Sequence, residues 1–214
     1  MKLGVEGSLK DIETELQAVL SRRETILKET RDSISYCSRA IIHIHTGKRK
    51  EADKEIAEAK RALEDLRKKA HGSLARYLVS PETEYVEAVS VRAIVSGRPI
   101  PNAASLGVSS EGYILGLLDT IGEIKRLLLD AIMEGEIAKA RKYFEEMEQL
   151  YSILSPFAVF DHVVNGMRRK IDVARMLTED VRGIMAEESR RGNLVASMQK
   201  LNSSLSKAHG SRPT

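Results

Sequence analysis

The sequence predicts an all-α protein built from long helices. Three observations carry this. Only 4% of the 214 residues are aromatic and only 5 are Pro, while Ala, Leu, Glu, Lys and Arg abound, a composition that favours helix. Apolar residues recur at a spacing near 3.5 over long stretches, the signature of helices packed along a seam. The periodic stretches are separated by Gly and Ser-Pro breaks, such as Thr46-Gly47, Ser80-Pro81, Gly97 and Ser155-Pro156, which end or start helices. The length suffices for one large domain with a real core.

The elements follow in order. Leu9, Ile12, Leu16, Val19, Ile26, Ile34, Cys37, Ile41 and Ile44 mark one helix ending at Thr46-Gly47, about 55–60 Å long at ~1.5 Å per residue. Arg23 falls at the seam position between Val19 and Ile26, where a long side chain can snorkel at the edge. A second helix from Lys48 carries the seam Ala52, Ile56, Ala59, Leu63, Leu66 and Ala70, and the short link predicts an antiparallel hairpin with the first. Its end is basic, from Arg67 to Arg76, and includes His71. Such a charge run is most simply a solvated face. Pro81 suits the first turn of a third helix, with Ser80 as its cap. That helix carries Glu84 and Glu87, is apolar nearly all round and so is expected to be buried. Arg98 to Asn102 reads as a loop. Ser109 caps the next helix, which carries Asp119 and Glu123. A helix through Ile137, Ala140, Phe144, Met147 and Tyr151 follows, then another from Phe160 to Ile184. Two parts result: a helical domain over residues 1–189 and a polar, basic tail over 190–214, expected to be frayed or disordered.

Charge and cysteine narrow the function classes. From Arg190 to Thr214 there are five Lys/Arg and no acid, so the net +3 becomes −2 for residues 1–189 once those five are set aside. A polyanion must therefore meet a local basic patch or the tail. One cysteine, Cys37, excludes an internal disulfide framework and fits a reducing compartment, so a cytoplasmic protein is expected. No apolar run is long enough to span a membrane, and Met1 to Lys10 lacks a signal-peptide core. Glycine-rich phosphate loops, Cys/His zinc spacing and nucleophile elbows are absent.

The chemistry-bearing candidates are two acid pairs. Glu84 and Glu87 (i,i+3) and Asp119 and Glu123 (i,i+4) each share one helix face. Buried carboxylates need a partner, and converging ones repel unless protonated or bridged by a cation. An oxygen-only set suits Mg²⁺ or Mn²⁺. The Glu-x-x-His pairs of a di-iron bundle do not occur. Gly112, Gly116 and Gly122 share a side of the Asp119 helix with Arg126. They admit either a ligand or a closely packed helix. Spacing alone leaves a metal site and incidental acids both open.

The stretches Arg23 to Asp32, Glu84-Tyr85-Val86-Glu87-Ala88-Val89-Ser90 and Tyr113 to Arg126 resemble motifs of the translin superfamily, over roughly residues 10–190, and sit nearest its branch of translin-associated factor X. The resemblance implies a seven-helix α-bundle of long antiparallel helices that forms hollow homo-oligomers, octamers in that family. It implies a Mg²⁺-dependent endoribonuclease cutting single-stranded RNA inside the shell. Glu84, Glu87 and Asp119 are then catalytic metal ligands, with Glu123 as the fourth. It makes Arg23, His71 and Arg76 candidate RNA contacts; Arg126, beside the acids, is added as a candidate RNA-binding residue that could offset phosphate charge. Translin has apolar residues where Glu84 and Glu87 stand, so this sequence sides with the catalytic branch. The alternative is a non-catalytic translin-like binder of single-stranded RNA or DNA.

Overall fold

In the computed structural model, which describes residues 4–210, the chain is all helix. Seven α-helices follow one another: α1 (Glu6–His45), α2 (Arg49–Lys69), α3 (Val79–Val95), the one-turn α4 (Ala103–Leu106), α5 (Ser110–Met133), α6 (Ile137–Leu154) and α7 (Met167–Gly210). Short 3₁₀ segments at Gly72–Leu78 and Ser155–Phe160 lead into α3 and out of α6. No strand occurs among the described residues.

α1 and α2 form the expected antiparallel hairpin. Lys69 pairs with Glu29 at the open end and Arg39 with Glu55 nearer the turn. The turn works because Gly47 takes φ 72°, a left-handed conformation that glycine adopts without steric penalty. The α1 seam residues Ile26, Thr30, Ser33, Cys37, Ala40 and Ile44 are buried against Ala52, Ala59, Leu63 and Leu66 of α2 and against α3. α2 is about 31 Å long against about 60 Å for α1. The first twenty residues of α1 therefore project past it, and Leu9, Ile12, Leu16 and Leu20 are exposed.

α3 is the central helix, as its apolar sequence predicts, with Tyr85, Val86, Ala88, Val91 and Ile94 buried. It begins two residues earlier than expected, at Val79. Ser80 therefore lies inside the helix and does not cap it. The preceding 3₁₀ segment runs straight in, and Pro81 still stands in the first turn, where no N–H is missed. α5 packs beside α3 in the same direction, because the 96–109 connection carries the chain back before α5 begins. This close approach depends on glycine. A Cβ on Gly116 would stand 2.5 Å from the Thr83 carbonyl oxygen and 2.7 Å from Val86 Cβ, and one on Gly112 would stand 2.6 Å from Glu82 Cβ.

Glu82 locks the N-terminal ends together. It is 3% exposed. Its carboxylate accepts hydrogen bonds from the Arg67 guanidinium at 3.2 and 3.3 Å and from the Ser109 N–H at 2.9 Å. Ser109 is the expected cap of α5, its Oγ accepting from the Gly112 N–H at 3.1 Å. In the shared core Ile121, Ile124 and Leu128 are fully buried, each contributing about 1.5–3 kcal/mol.

The expected helix over 160–184 differs in its start. Phe160 to Gly166 form a 3₁₀ end and turn, and α7 begins at Met167 after Gly166 at φ 78°. The residues from 190, expected as a frayed or disordered tail, continue α7 as helix to Gly210, exposed as far as Ser206. The reason is visible in the pattern: Leu194, Met198 and Leu201 keep helical spacing. The last tail residues, 211–214, lie outside the described residues.

Candidate functional site

Three of the four singled-out acids meet at one place. Glu84 and Glu87 from α3 and Asp119 from α5 line a pocket of 530 Å³. Its far wall is the Gly166 turn and the start of α7, with Asn165, Arg169 and Lys170. Parallel packing of α3 and α5 brings the pairs face to face at matching heights. Gly122 opens onto the pocket, and a Cβ there would meet only Leu177 at 4.0 Å. Of the three glycines on that helix, then, Gly122 alone leaves room beside the acids. Gly112 and Gly116 serve the helix packing.

The acids feel one another. Burial, then the charges of Glu84, Asp119 and Glu123, push the Glu87 carboxyl up to about 8. Burial and Asp119 also raise Glu84, with Lys170 pulling the other way. Both shifts follow from packing like charges in a poorly solvated cleft. Cys37 lies on the α1 side of this group, and burial together with Glu84 and Glu87 pushes its thiol up to about 12. It is an inert core residue, as its place in the seam suggests.

The second pair is split. Asp119 holds the Lys170 ammonium with both carboxylate oxygens. Glu123 turns away to His45, whose Nε2 stands 2.5 Å from its Oε2. The other ring nitrogen of His45 faces Asp130 at 3.3 Å, and the imidazole is 4% exposed. Arg126 lies 3.9 Å from Glu123 and is half exposed. As the side chains stand, no group of three or more His, Cys, Asp or Glu among the described residues is close enough to hold a metal ion. The donor chemistry suits a hard divalent cation. To reach Asp119 such a cation must displace Lys170.

The sequence reading missed Arg169, Lys170 and His45. A signal for the first two existed. Arg168-Arg169-Lys170 opens α7, and cations are disfavoured at a helix N-terminus, so three of them there call for acids opposite. His45 ends α1, and only the fold brings it to Glu123 and Asp130.

The candidate RNA-contact residues divide. Arg23 and Arg76 converge on Tyr77. The Arg23 Nε donates to the Tyr77 hydroxyl at 2.7 Å, and both guanidinium groups stand over the ring at 5.5 and 5.2 Å. His71 turns its ring to the Lys68 carbonyl at 2.8 Å. This basic, aromatic patch is exposed and lies about 21 Å along α1 from Cys37. Arg126 belongs instead to the surroundings of Glu123.

Comparison with known proteins agrees with this architecture. No protein-family model matches the chain. Over 168 residues it is 37% identical to the uncharacterized protein MJ0175 of Methanocaldococcus jannaschii, covering 76% of this chain and 74% of that protein. It superposes on AfC3PO in a complex with duplex RNA (TM-score 0.76, 28% identity) and on AfC3PO itself (0.76, 29%), each over 86% of this chain and 98% of that one. Apo-NeC3PO, at 22% identity, shares the fold (TM-score 0.73, 83% and 95% covered). The fold is thus of the C3PO/translin type. No helix among the described residues is long and apolar enough to cross a membrane.

Proposed function

The chain belongs to the family of the uncharacterized protein MJ0175 and has the C3PO/translin-type fold; on that footing we propose that it is a Mg²⁺-dependent endoribonuclease that works in the cytoplasm as a hollow homo-oligomer, an octamer. The observation that carries this is the pocket where Glu84, Glu87 and Asp119 face Arg169 and Lys170. Carboxylates beside cations, in a cleft between helices, match a site that takes a metal ion and a phosphodiester together.

Glu84, Glu87 and Asp119 would hold Mg²⁺ or Mn²⁺, with Glu123 at the margin. Bound there, the ion supplies a water activated at neutral pH and a counter-charge for the phosphorus centre. The chain's own residues do the rest. Lys170 and Arg169 receive phosphate oxygens, and Lys170 can leave Asp119 for the substrate. Glu87, whose carboxyl burial and its acidic neighbours push up to about 8, gives up its proton when the ion binds, so that ion occupancy and pH are coupled at this site. His45 fixes Glu123. Tyr77, between Arg23 and Arg76, offers a ring and two cations to a base and its phosphates.

The complex of AfC3PO holds duplex RNA, which supports RNA as the ligand and makes strandedness part of the test. The second reading, a binder of single-stranded RNA or DNA with structural acids, is favoured by the Lys170–Asp119 pair, which already neutralises one carboxylate. Labelled single-stranded and duplex RNA incubated with and without Mg²⁺, beside the Glu84→Gln variant, separates the two. Metal-dependent cutting of the single strand by the wild type alone is expected. Retention of RNA by both proteins with no cutting in any metal would leave the binder.

A further inference from the structure

Two apolar stripes stand exposed at opposite ends of the sequence. On α1, Leu9, Ile12, Leu16 and Leu20 are 58, 48, 62 and 45% exposed. Leu9, Ile12 and Leu16 continue the seam that Cys37, Ala40 and Ile44 bury, past the point where α2 stops covering it, and Leu20 flanks that line by one residue. On α7, Leu194, Met198 and Leu201 are each 62% exposed. This second stripe does not prolong the buried face of its helix. Ala174, Thr178, Val181 and Met185 are buried, and the same spacing carried forward reaches Val195 and Gln199. Leu194, Met198 and Leu201 fall one residue short of that line, a turn of about 100°. They point away from the chain's own core.

Both stripes have the 3- and 4-residue alternation of a helix that packs along a partner helix. Their charges are opposite. Residues 4–21 hold Glu6, Asp11, Glu13 and Glu15 against Lys10 alone, whereas residues 190–206 hold Arg190, Arg191 and Lys200 and no acid. Each stripe therefore repels its own kind and suits the other. Since both are exposed in one chain, its own fold keeps them apart.

We propose that the acidic apolar stripe of α1 docks on the basic apolar stripe of α7 in a second copy of this chain. Each copy gives one stripe and receives the other. Two copies that exchange both contacts form an isologous, two-fold pair, whereas a single contact passed from copy to copy is heterologous and closes into a ring when the rotation allows. Helix-to-helix burial supplies the affinity, and the opposed charges set the pairing and exclude like-with-like contacts. This deepens the assembly part of the proposed function and needs none of its catalytic part.

The test is mass in solution, by light scattering on the full chain, with circular dichroism to check that helix content is kept. Two variants are made: Ile12→Glu with Leu16→Glu on α1, and Leu194→Glu with Met198→Glu on α7. Each is expected to weaken association about 100-fold or more and to run at a lower mass than the wild type. Mixed in equal amounts they are expected to form a joint species, because each retains the stripe the other lost. A monomeric wild type would remove the assembly reading itself. An assembled wild type with either variant unchanged in mass, or with no joint species on mixing, would overturn the pairing alone. Binding of the wild type, but not the α7 variant, to anionic vesicles without any change in mass would also overturn it, in favour of a membrane surface.

Discussion

The two acid pairs differ in what the fold does with them. Glu84 and Glu87 stay together on the pocket wall, and each has its carboxyl pushed up by burial and by neighbouring carboxylates. Asp119 and Glu123, at an equally good helical spacing, part company: one goes to Lys170 and the other to His45. Helical periodicity sets which side chains share a face. What lies across that face decides whether they act as a pair. Here α1 and α7 each take one member of the second pair, and the pocket keeps three acids.

The largest effects should separate those members. Asp119→Asn is expected to lower metal-dependent RNA cleavage by about 10³-fold or more, since several kcal/mol of transition-state stabilisation pass through such a ligand. Glu123→Gln, held outside the pocket by His45, is expected to lower it by only about 10-fold. Single-turnover cleavage at saturating Mg²⁺ measures both. Equal losses would put Glu123 back among the ligands.

The shared shift of the first pair has a consequence for stability. A carboxyl whose native pKa lies above its unfolded one keeps its proton longer in the folded state. Its stabilising contribution is present at low pH and is lost as pH rises from about 4.5 through about 8. At ~1.4 kcal/mol per unit, discounted because the group is only partly buried, the loss amounts to a few kcal/mol at most. Urea unfolding in EDTA at pH 5, 6.5 and 8 should show a fall for the wild type and a flatter profile for Glu87→Gln. Parallel profiles would remove the strained carboxyl.

Glycines on α5 sharpen the same contrast between packing and access. Gly116→Ala forces a Cβ against the Thr83 carbonyl and is expected to destabilise by about 1–3 kcal/mol. Gly122→Ala has space and should gain helix propensity, up to about 1 kcal/mol, while narrowing the pocket. Denaturant midpoints read the first effect, and Mg²⁺ dependence of cleavage reads the second. Smaller still, Lys170→Gln frees Asp119 and should lower the Mg²⁺ midpoint about 3- to 10-fold, the scale of one partly exposed ion pair.

Much of this was legible in the sequence, for physical reasons. The long helices, the α1–α2 hairpin, the buried α3 and the Ser109 cap follow from periodicity and turn chemistry, which are local. The convergence of Glu84, Glu87 and Asp119 was readable only as a possibility, until the motif resemblance weighted it. Lys170 and His45 lie far from the acids in sequence, and their encounter is set by helix directions that spacing does not encode. The stretch after Arg190 read as a tail because polar and basic composition outweighed three apolar residues at helical spacing. Gly112 and Gly116 read equally well as a ligand's approach or a helix's, and contact geometry alone separates them.

On the proposed function the three pocket acids form a cation site. Calorimetric titration of Mn²⁺ at pH 7, repeated in buffers of different ionisation enthalpy, tests it most directly, because metal binding must expel the proton Glu87 holds. Saturable binding with release of about one proton is expected in the wild type, with little release in Glu87→Gln and weak binding in Asp119→Asn. No saturable binding, or binding unchanged in both variants, would contradict it.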